Sequence, residues 1–281
     1  MVVIILKFRI ALAQTQSHQA DPTSNLQVIS EICSKVELDE EIPTIVVFPE
    51  LSVTGYLMHD DVYQLAEPIP SGPFSQELAR ISQKNSCYLI AGMPESSIPG
   101  LLYNTAVMFG PEGFIGKSRK IFLPNHSVFN ERRYFRSSPT INVINTPMGK
   151  IGMQICYDIF CPEITRAHAL LGAHTSICIS ASPGVRRQYF ETFIPARAME
   201  NTINFVYVNQ SGIQDDLIFW GGSEVRSATG KQIAKLEYNK PDFEVCTLST
   251  DSSQSAKNFV PTLKDLPSWI FKTIEESYYD I

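Results

Sequence analysis

An α/β fold of layered sheets and helices is what this chain predicts, on three observations. Nine short runs rich in β-branched and other apolar residues recur along it. Between several of them lie segments whose apolar residues repeat at helical spacing. The runs mix continuous apolar stretches, which suit sheets covered on both faces, with alternating ones.

The series opens with FRIALAQ (8–14), and SNLQVISEICSKV (24–36) follows as a helix with Leu26, Ile29, Ile32 and Val36 at helical spacing. TIVVF (44–48) is a β-branched run ending at Phe48-Pro49-Glu50, ahead of a Thr54-Gly55 turn. PFSQELARISQKN (73–85) begins with proline, which fits the opening of a helix, and carries Leu78 and Ile81. CYLIAGM (87–93), YNTAVMF (103–109), INVIN (141–145) and IGMQIC (151–156) read as further strands. Pro162 and Glu163 then start a helix over PEITRAHALLGA (162–173), the carboxylate suiting the positive end of the dipole. TSICIS (175–180), INFVYVN (203–209) and FEVCTLS (243–249) complete the strands. SASPGVRRQYF (180–190) follows a strand and is expected as a pocket loop, with Ser182 or Arg186 as its substrate contact.

In the last segment, LPSWIFKTIEESYYDI (266–281), Ile270, Ile274 and Tyr278 share one helical face. The stretch from about 250 to 281 is therefore expected to pack on the body or on a second subunit. No long linker, biased tract or repeat divides the chain, so one domain over 1–281 is expected.

Composition narrows the function. Hydrophobic residues make up 44% and charged residues 19%, an ordinary globular balance. A net charge of −6 without a basic, aromatic-laced patch argues against nucleic acid. Lys7 and Arg9 interrupt the apolar N-terminus, no cleavage site follows, and no stretch approaches a membrane span. A cytoplasmic protein without a membrane partner is expected. The six cysteines (33, 87, 156, 161, 178, 246) lack paired spacing and read as reduced thiols. The five histidines form no ligand pair at helical spacing, so neither metal nor cofactor is expected.

Three residues could make a site. Glu50 stands at the carboxyl end of a strand, where α/β sheets place their ligand crevices. Lys120 precedes Ile121, Phe122 and Leu123; Cys156 ends an apolar run where a helix-starting segment begins. A thiol attacks only as thiolate, so it needs a base or a cation nearby. Glu50 could take that proton, while Lys120 and the backbone N–H of Tyr157 could hold the oxyanion of a tetrahedral intermediate. Such a set opens a C–N bond with no cofactor. Two alternatives stay open: a Cys–His pair with His126 or His174 as base, and a non-catalytic binding module.

VVFPELSVTGY, RKIFLPN and GMQICYDIFCPE, in that order and with Glu50, Lys120 and Cys156 set 70 and 36 residues apart, resemble the glutamate, lysine and cysteine motifs of the nitrilase (carbon–nitrogen hydrolase) superfamily. The resemblance implies a four-layer αββα sandwich, usually assembled as a homodimer or larger homo-oligomer. It also implies that Glu50 is the general base, Lys120 the oxyanion stabiliser and Cys156 the nucleophile. Glu131 in FNERRYF resembles the family's second glutamate, which orients the lysine, and Tyr56 and Tyr103 resemble positions lining its pocket.

ELSVTGYLMHDDVY, LPNHSVFNERRYF and VYVNQSGIQDDLIFWGGSEV are similar to the glutaminase domain of glutamine-dependent NAD synthetases, whereas CYDIFCPE departs from its usual CEDLW toward the general amidases. The expectation is a free-standing amidase acting on a small amide, glutamine-like amides included. A glutaminase subunit feeding ammonia to a separate synthetase and a nitrile hydrolase are the further alternatives.

Overall fold

A computed structural model describes residues 6–37, 39 and 41–278. In chain order the elements begin with β1 (Lys7–Gln14), α1 (Pro22–Lys35), β2 (Thr44–Val47), α2 (Val62–Leu65) and α3 (Pro73–Lys84). There follow β3 (Tyr88–Ile98), β4 (Leu101–Gly110), β5 (Gly113–Arg119), β6 (Val143–Thr146), β7 (Gly149–Ile155), α4 (Pro162–Leu170), β8 (Thr175–Ser180) and α5 (Arg187–Asn201). The remainder is β9 (Asn204–Asn209), the ribbon β10 (Ser211–Gln214) and β11 (Leu217–Trp220), β12 (Glu224–Arg226), β13 (Gln232–Lys235), β14 (Asp242–Ser249), α6 (Thr250–Phe259), α7 (Thr262–Asp265) and α8 (Trp269–Tyr278).

Two six-stranded sheets result, ordered β14-β1-β2-β3-β4-β5 and β13-β12-β9-β8-β7-β6. In the first, β1, β2 and β3 run parallel; in the second, β7, β8 and β9 do. These central strands are the continuous apolar runs, buried along both faces as parallel strands require. Ile10, Leu12, Ile45, Val47 and Ile90 of the first sheet share one core with Ile151, Met153, Ile155, Ile177 and Ile179 of the second. Outside the first sheet, Leu26, Ile29 and Cys33 of α1 and Leu78 and Ile81 of α3 cover Val46, Phe48 and Leu89. Outside the second, Phe190, Ile194 and Ala198 of α5 pack in one cluster with Cys178 and Tyr207. The architecture is the four-layer αββα sandwich.

Two local readings needed revision. Residues 180–190 are only briefly a loop: a 3-10 turn at Gly184–Arg186 leads directly into α5. That helix carries Pro195 in its interior, the residue that most strongly argues against helix in a sequence. The strands β5 and β10–β13 were not foreseen; they are short or half-exposed and lack a sustained apolar alternation. Within the C-terminal stretch, α6 buries Thr250, Ser253 and Ala256, and Ser253 Oγ donates to Thr202 O at 2.8 Å. By contrast α8 buries none of its described residues, with Trp269, Phe271 and Ile274 exposed. Residues 279–281 of that segment lie outside the described residues. No helix among the described residues is long and apolar enough to cross a membrane.

Candidate active site

The parallel strands of both sheets end at the same place. β2 leads to Glu50, β7 to Cys156 and β8 to Ala181, each just past a carboxyl end, where such sheets leave a crevice. Two of these turns adopt conformations L-residues avoid. Leu51, after Glu50, has φ +49°, and Cys156 itself has φ +46°. A non-glycine residue there carries strain of order 1–3 kcal/mol. Cys156 opens a 3-10 turn spanning Cys156–Phe160.

Around that sulfur the structure gathers the charged residues. Lys120 follows β5, and its Nζ donates to Glu50 Oε1 at 2.6 Å and to Glu131 Oε1 at 2.7 Å. Glu131 opens its own 3-10 turn and accepts a second contact, from Tyr56 Oη at 2.7 Å. Glu50 Oε1 also accepts from Asn104 Nδ2 at 2.7 Å, and its Oε2 from the backbone N–H of Ala181 at 2.8 Å. Glu50 and Lys120 are 0% exposed; Cys156 and Glu131 are 5% exposed. Three charges so deeply buried persist only because each is paired or hydrogen-bonded.

Burial works against the Lys120 ammonium, yet the Glu131 and Glu50 carboxylates outweigh it and hold its pKa well above the ordinary lysine range. Burial and then the Glu50 charge push the Cys156 thiol well above its ordinary range, with Lys120 opposing. The resting group is therefore a thiol beside a base. Burial raises the Glu131 carboxyl to about 7 against the pull of Lys120, with the Glu50 charge adding to the rise.

Asp158 fixes the two halves to each other. Its Oδ2 accepts from Ile155 N–H at 3.0 Å, tightening the cysteine turn. Its Oδ1 accepts from Ile121 N–H at 3.1 Å and Phe122 N–H at 2.8 Å, tying in the lysine segment. Burial lifts this carboxyl to about 6.

Of the other expected site residues, Tyr56 joins the set through Glu131, and Tyr157 is the first residue after the cysteine, its ring edge-on to His126 at 5.6 Å. Ser182 lies next to Ala181: its N–H donates to Asn209 Oδ1 at 2.8 Å, and its buried Oγ has no partner. Tyr103 is not brought in. Its ring lies under the Arg119 guanidinium at 3.9 Å, on the strand face opposite Asn104, which is the residue of β4 that reaches Glu50. The rival bases stand elsewhere. His126 Nδ1 contacts Arg186 Nη2 at 3.1 Å on the surface, and His174 precedes β8 at the end opposite Ala181. Tyr56 and Glu131 line a cavity of about 260 Å3, and Tyr157, Ile121 and Phe122 border another of about 410 Å3. Glu50, Lys120 and Cys156 line neither.

Asn104 and Asp158 escaped the sequence reading. Asn104 left a signal as a lone amide in an apolar run. Asp158 left one too, since an acid three residues past the last strand residue can cap the turn that follows.

The comparison with known proteins fits this arrangement. The carbon–nitrogen hydrolase family matches residues 9–258. The chain belongs to that family. This hydrolase is 31% identical over 242 residues to a glutamine-dependent NAD(+) synthetase of Aquifex aeolicus, covering 85% of this chain but 42% of the synthetase. It is 29% identical over 259 residues to an (R)-stereoselective amidase of a Pseudomonas species, covering 92% and 90% of the two chains. The crystal structure of Saccharomyces cerevisiae Nit3, in branch 10 of the nitrilase superfamily, superposes with a TM-score of 0.82 at 25% identity, covering 91% of this chain and 95% of that one. The hydrolase accordingly acts on carbon–nitrogen bonds. Among its described residues no group of three or more His, Cys, Asp or Glu side chains is arranged to hold a metal ion.

Proposed function

We propose that this hydrolase cleaves a primary amide through a Cys156 thioester, with glutamine-like amides in its substrate range. The observation that carries the reading is the buried Glu50–Lys120–Glu131 array set beside a cysteine in a strained turn. Glu50 Oε1 is taken up by Lys120 and Asn104, whereas Oε2 accepts only the Ala181 N–H, leaving capacity for the thiol proton. Sulfur attacks the carbonyl carbon as Glu50 receives that proton. The oxyanion meets the Lys120 ammonium and the Tyr157 N–H, which as the first N–H of a helical turn has no partner within it. Collapse expels the amine, protonated by Glu50, as ammonia. Glu50 then takes a proton from water, whose oxygen displaces sulfur, and returns that proton to the departing sulfur as the acid is released.

Tyr56, Tyr157 and Ser182 are the proposed substrate contacts, two aromatic faces for the planar amide and one unpartnered hydroxyl for its polar edge. The (R)-stereoselective amidase relative supports testing amides, and the synthetase relative supports testing glutamine.

A panel of primary amides, with glutamine, asparagine and nitriles included, assayed for ammonia release, tests this. Cys156→Ala should abolish turnover with the fold intact, and Glu50→Gln should lose roughly 10²–10⁴-fold in kcat. His126→Ala and His174→Ala should each stay within a few-fold of the parent. Ammonia release undiminished in Cys156→Ala would remove the proposal.

A further inference from the structure

The environment of Cys156 is poor in donors for a thiolate. Glu50 and Glu131 both oppose negative charge on the sulfur, as does burial, and the Lys120 ammonium is the opposing cation. Tyr56, Cys178, Tyr207 and Asp158 are the other titratable groups packed around it or its immediate neighbours. A sulfur that must become anionic twice per turnover, at attack and again on leaving the thioester, needs a further hydrogen bond.

Ser180 supplies it. It is the last residue of β8, 0% exposed, directly before the Ala181 N–H that holds Glu50. Its carbonyl is fixed by the Gln210 N–H at 2.9 Å, and because Ile179 pairs with Ile155 of β7, Ser180 stands beside Cys156, where its hydroxyl opposes the rise of the thiol's pKa. Behind it, Tyr207 stands on the neighbouring parallel strand β9, paired with Cys178, so its hydroxyl reaches two residues onward on the same face and donates to Ser180 Oγ at 3.2 Å. The ring cannot swing away. It is stacked on Trp220 at 5.8 Å and packed against Phe190 at 5.3 Å, all three buried. Burial, with the neighbouring Cys156 next, pushes the Tyr207 phenol well above its ordinary range, so it remains protonated and a donor. Each hydroxyl has one proton. With the Tyr207 proton directed at Ser180 Oγ, the Ser180 proton is free for the sulfur.

We propose that Ser180 is a further catalytic residue, donating its O–H to Cys156 Sγ whenever that sulfur is anionic, and that Tyr207 is a positioning residue that fixes the Ser180 hydroxyl for this donation. The proton leaving sulfur still goes to Glu50; the hydroxyl pair moves no proton and only lowers the energy of the charged sulfur. This rests on Cys156 being the nucleophile.

The test is the pH dependence of iodoacetamide alkylation at Cys156, read by mass spectrometry, beside kcat and KM on an accepted amide. Ser180→Ala should move the alkylation midpoint up by roughly one to two pH units, the size of a lost hydrogen bond to a charged group. Tyr207→Phe should move it in the same direction by less. Ser180→Thr keeps a hydroxyl and should restore most of the shift, which separates donation from packing. In Ser180→Ala and Tyr207→Phe, kcat should fall with KM little changed. A Ser180→Ala profile superimposable on the parent, or a Ser180→Thr profile as shifted as that of Ser180→Ala, overturns the proposal while leaving Cys156 as nucleophile. Undiminished turnover in Cys156→Ala would instead overturn the reading beneath it.

Discussion

Glu131 receives Lys120 and Tyr56 on one oxygen while its other oxygen has no partner, and burial lifts its carboxyl to about 7 from an ordinary value of 4.5. Two consequences follow with opposite signs. Between those values the folded chain holds a proton that the unfolded chain lacks. This group's contribution to stability therefore falls as pH rises through that window and levels off above it. Activity should move the other way. Losing the Glu131 charge removes one of the two anions holding Lys120, so kcat/KM is expected to rise with an acid limb centred near 7. That limb belongs to the coupled Glu50–Lys120–Glu131 set as a whole. Glu131→Gln should erase it and leave a slower enzyme whose rate is flatter from pH 6 to 8. A pH profile of kcat/KM, run beside thermal unfolding over the same range, checks both signs. Glu50, Lys120 and Cys156 were legible because the three motifs around them stand in the order and spacing of a known family; taken singly, a loop carboxylate, a lysine beside an apolar run and a small cysteine at a strand end look ordinary. Ser180 and Tyr207 were not, since a serine and a tyrosine within β-rich runs look like ordinary strand residues until the register of β8 on β9 joins them.

At the scale of elements, the site depends on how closely its turns approach the strands beneath them. Gly92 of β3 lies under the Glu50 turn, where a Cβ would overlap Leu51 N and crowd Glu50 Cα at 2.8 Å. The obstruction is backbone, which cannot rotate aside. Gly92→Ala should therefore displace Glu50 from Lys120 and Asn104, lowering kcat by about a hundredfold, the cost of misplacing a catalytic group by an ångström. Steady-state kinetics and circular dichroism together would separate this from unfolding. Sequence showed Gly92 only as a glycine within a strand; its meaning depends on which loop crosses it. The end of the chain gives the opposite case. Because α8 buries none of its described residues, truncation after Leu266 should lower the melting temperature of the isolated chain by only a few degrees, the response expected for less than about 1 kcal/mol. Cutting before α6 should cost far more, since Thr250 Oγ1 accepts from Leu6 N–H and Ser253 holds Thr202. The helical period of 266–281 was readable, whereas whether its apolar face meets the body was not, because periodicity names a face without naming its neighbour.

For the whole molecule, the decisive fact is that the reacting groups are divided between the sheets. Glu50 and Lys120 extend from the first, Cys156, Ser180 and Ala181 from the second. Their distances are set partly by two local ties across the sheets, Ala181 N–H to Glu50 and Asp158 to the Ile121 and Phe122 N–H groups, and partly by the apolar core holding the sheets together. Paired substitutions can weigh these contributions. Ile45 sits in the core between the sheets and Ile29 in the core beneath α1, and both are essentially unexposed. Ile→Ala at either should cost about 2–5 kcal/mol, so stability alone will not distinguish them. At a temperature where both variants remain folded, Ile45→Ala lets the sheets settle toward each other and shifts Glu50 against Cys156. Ile29→Ala leaves that spacing alone. The inter-sheet variant should therefore lose at least tenfold more kcat than the outer one, given how steeply rate falls with misplacement. Equal losses would mean that the Ala181 and Asp158 ties hold the site by themselves. In that case Asp158→Ala, which leaves three backbone N–H groups without their acceptor, should reproduce the catalytic defect that the core substitution failed to cause.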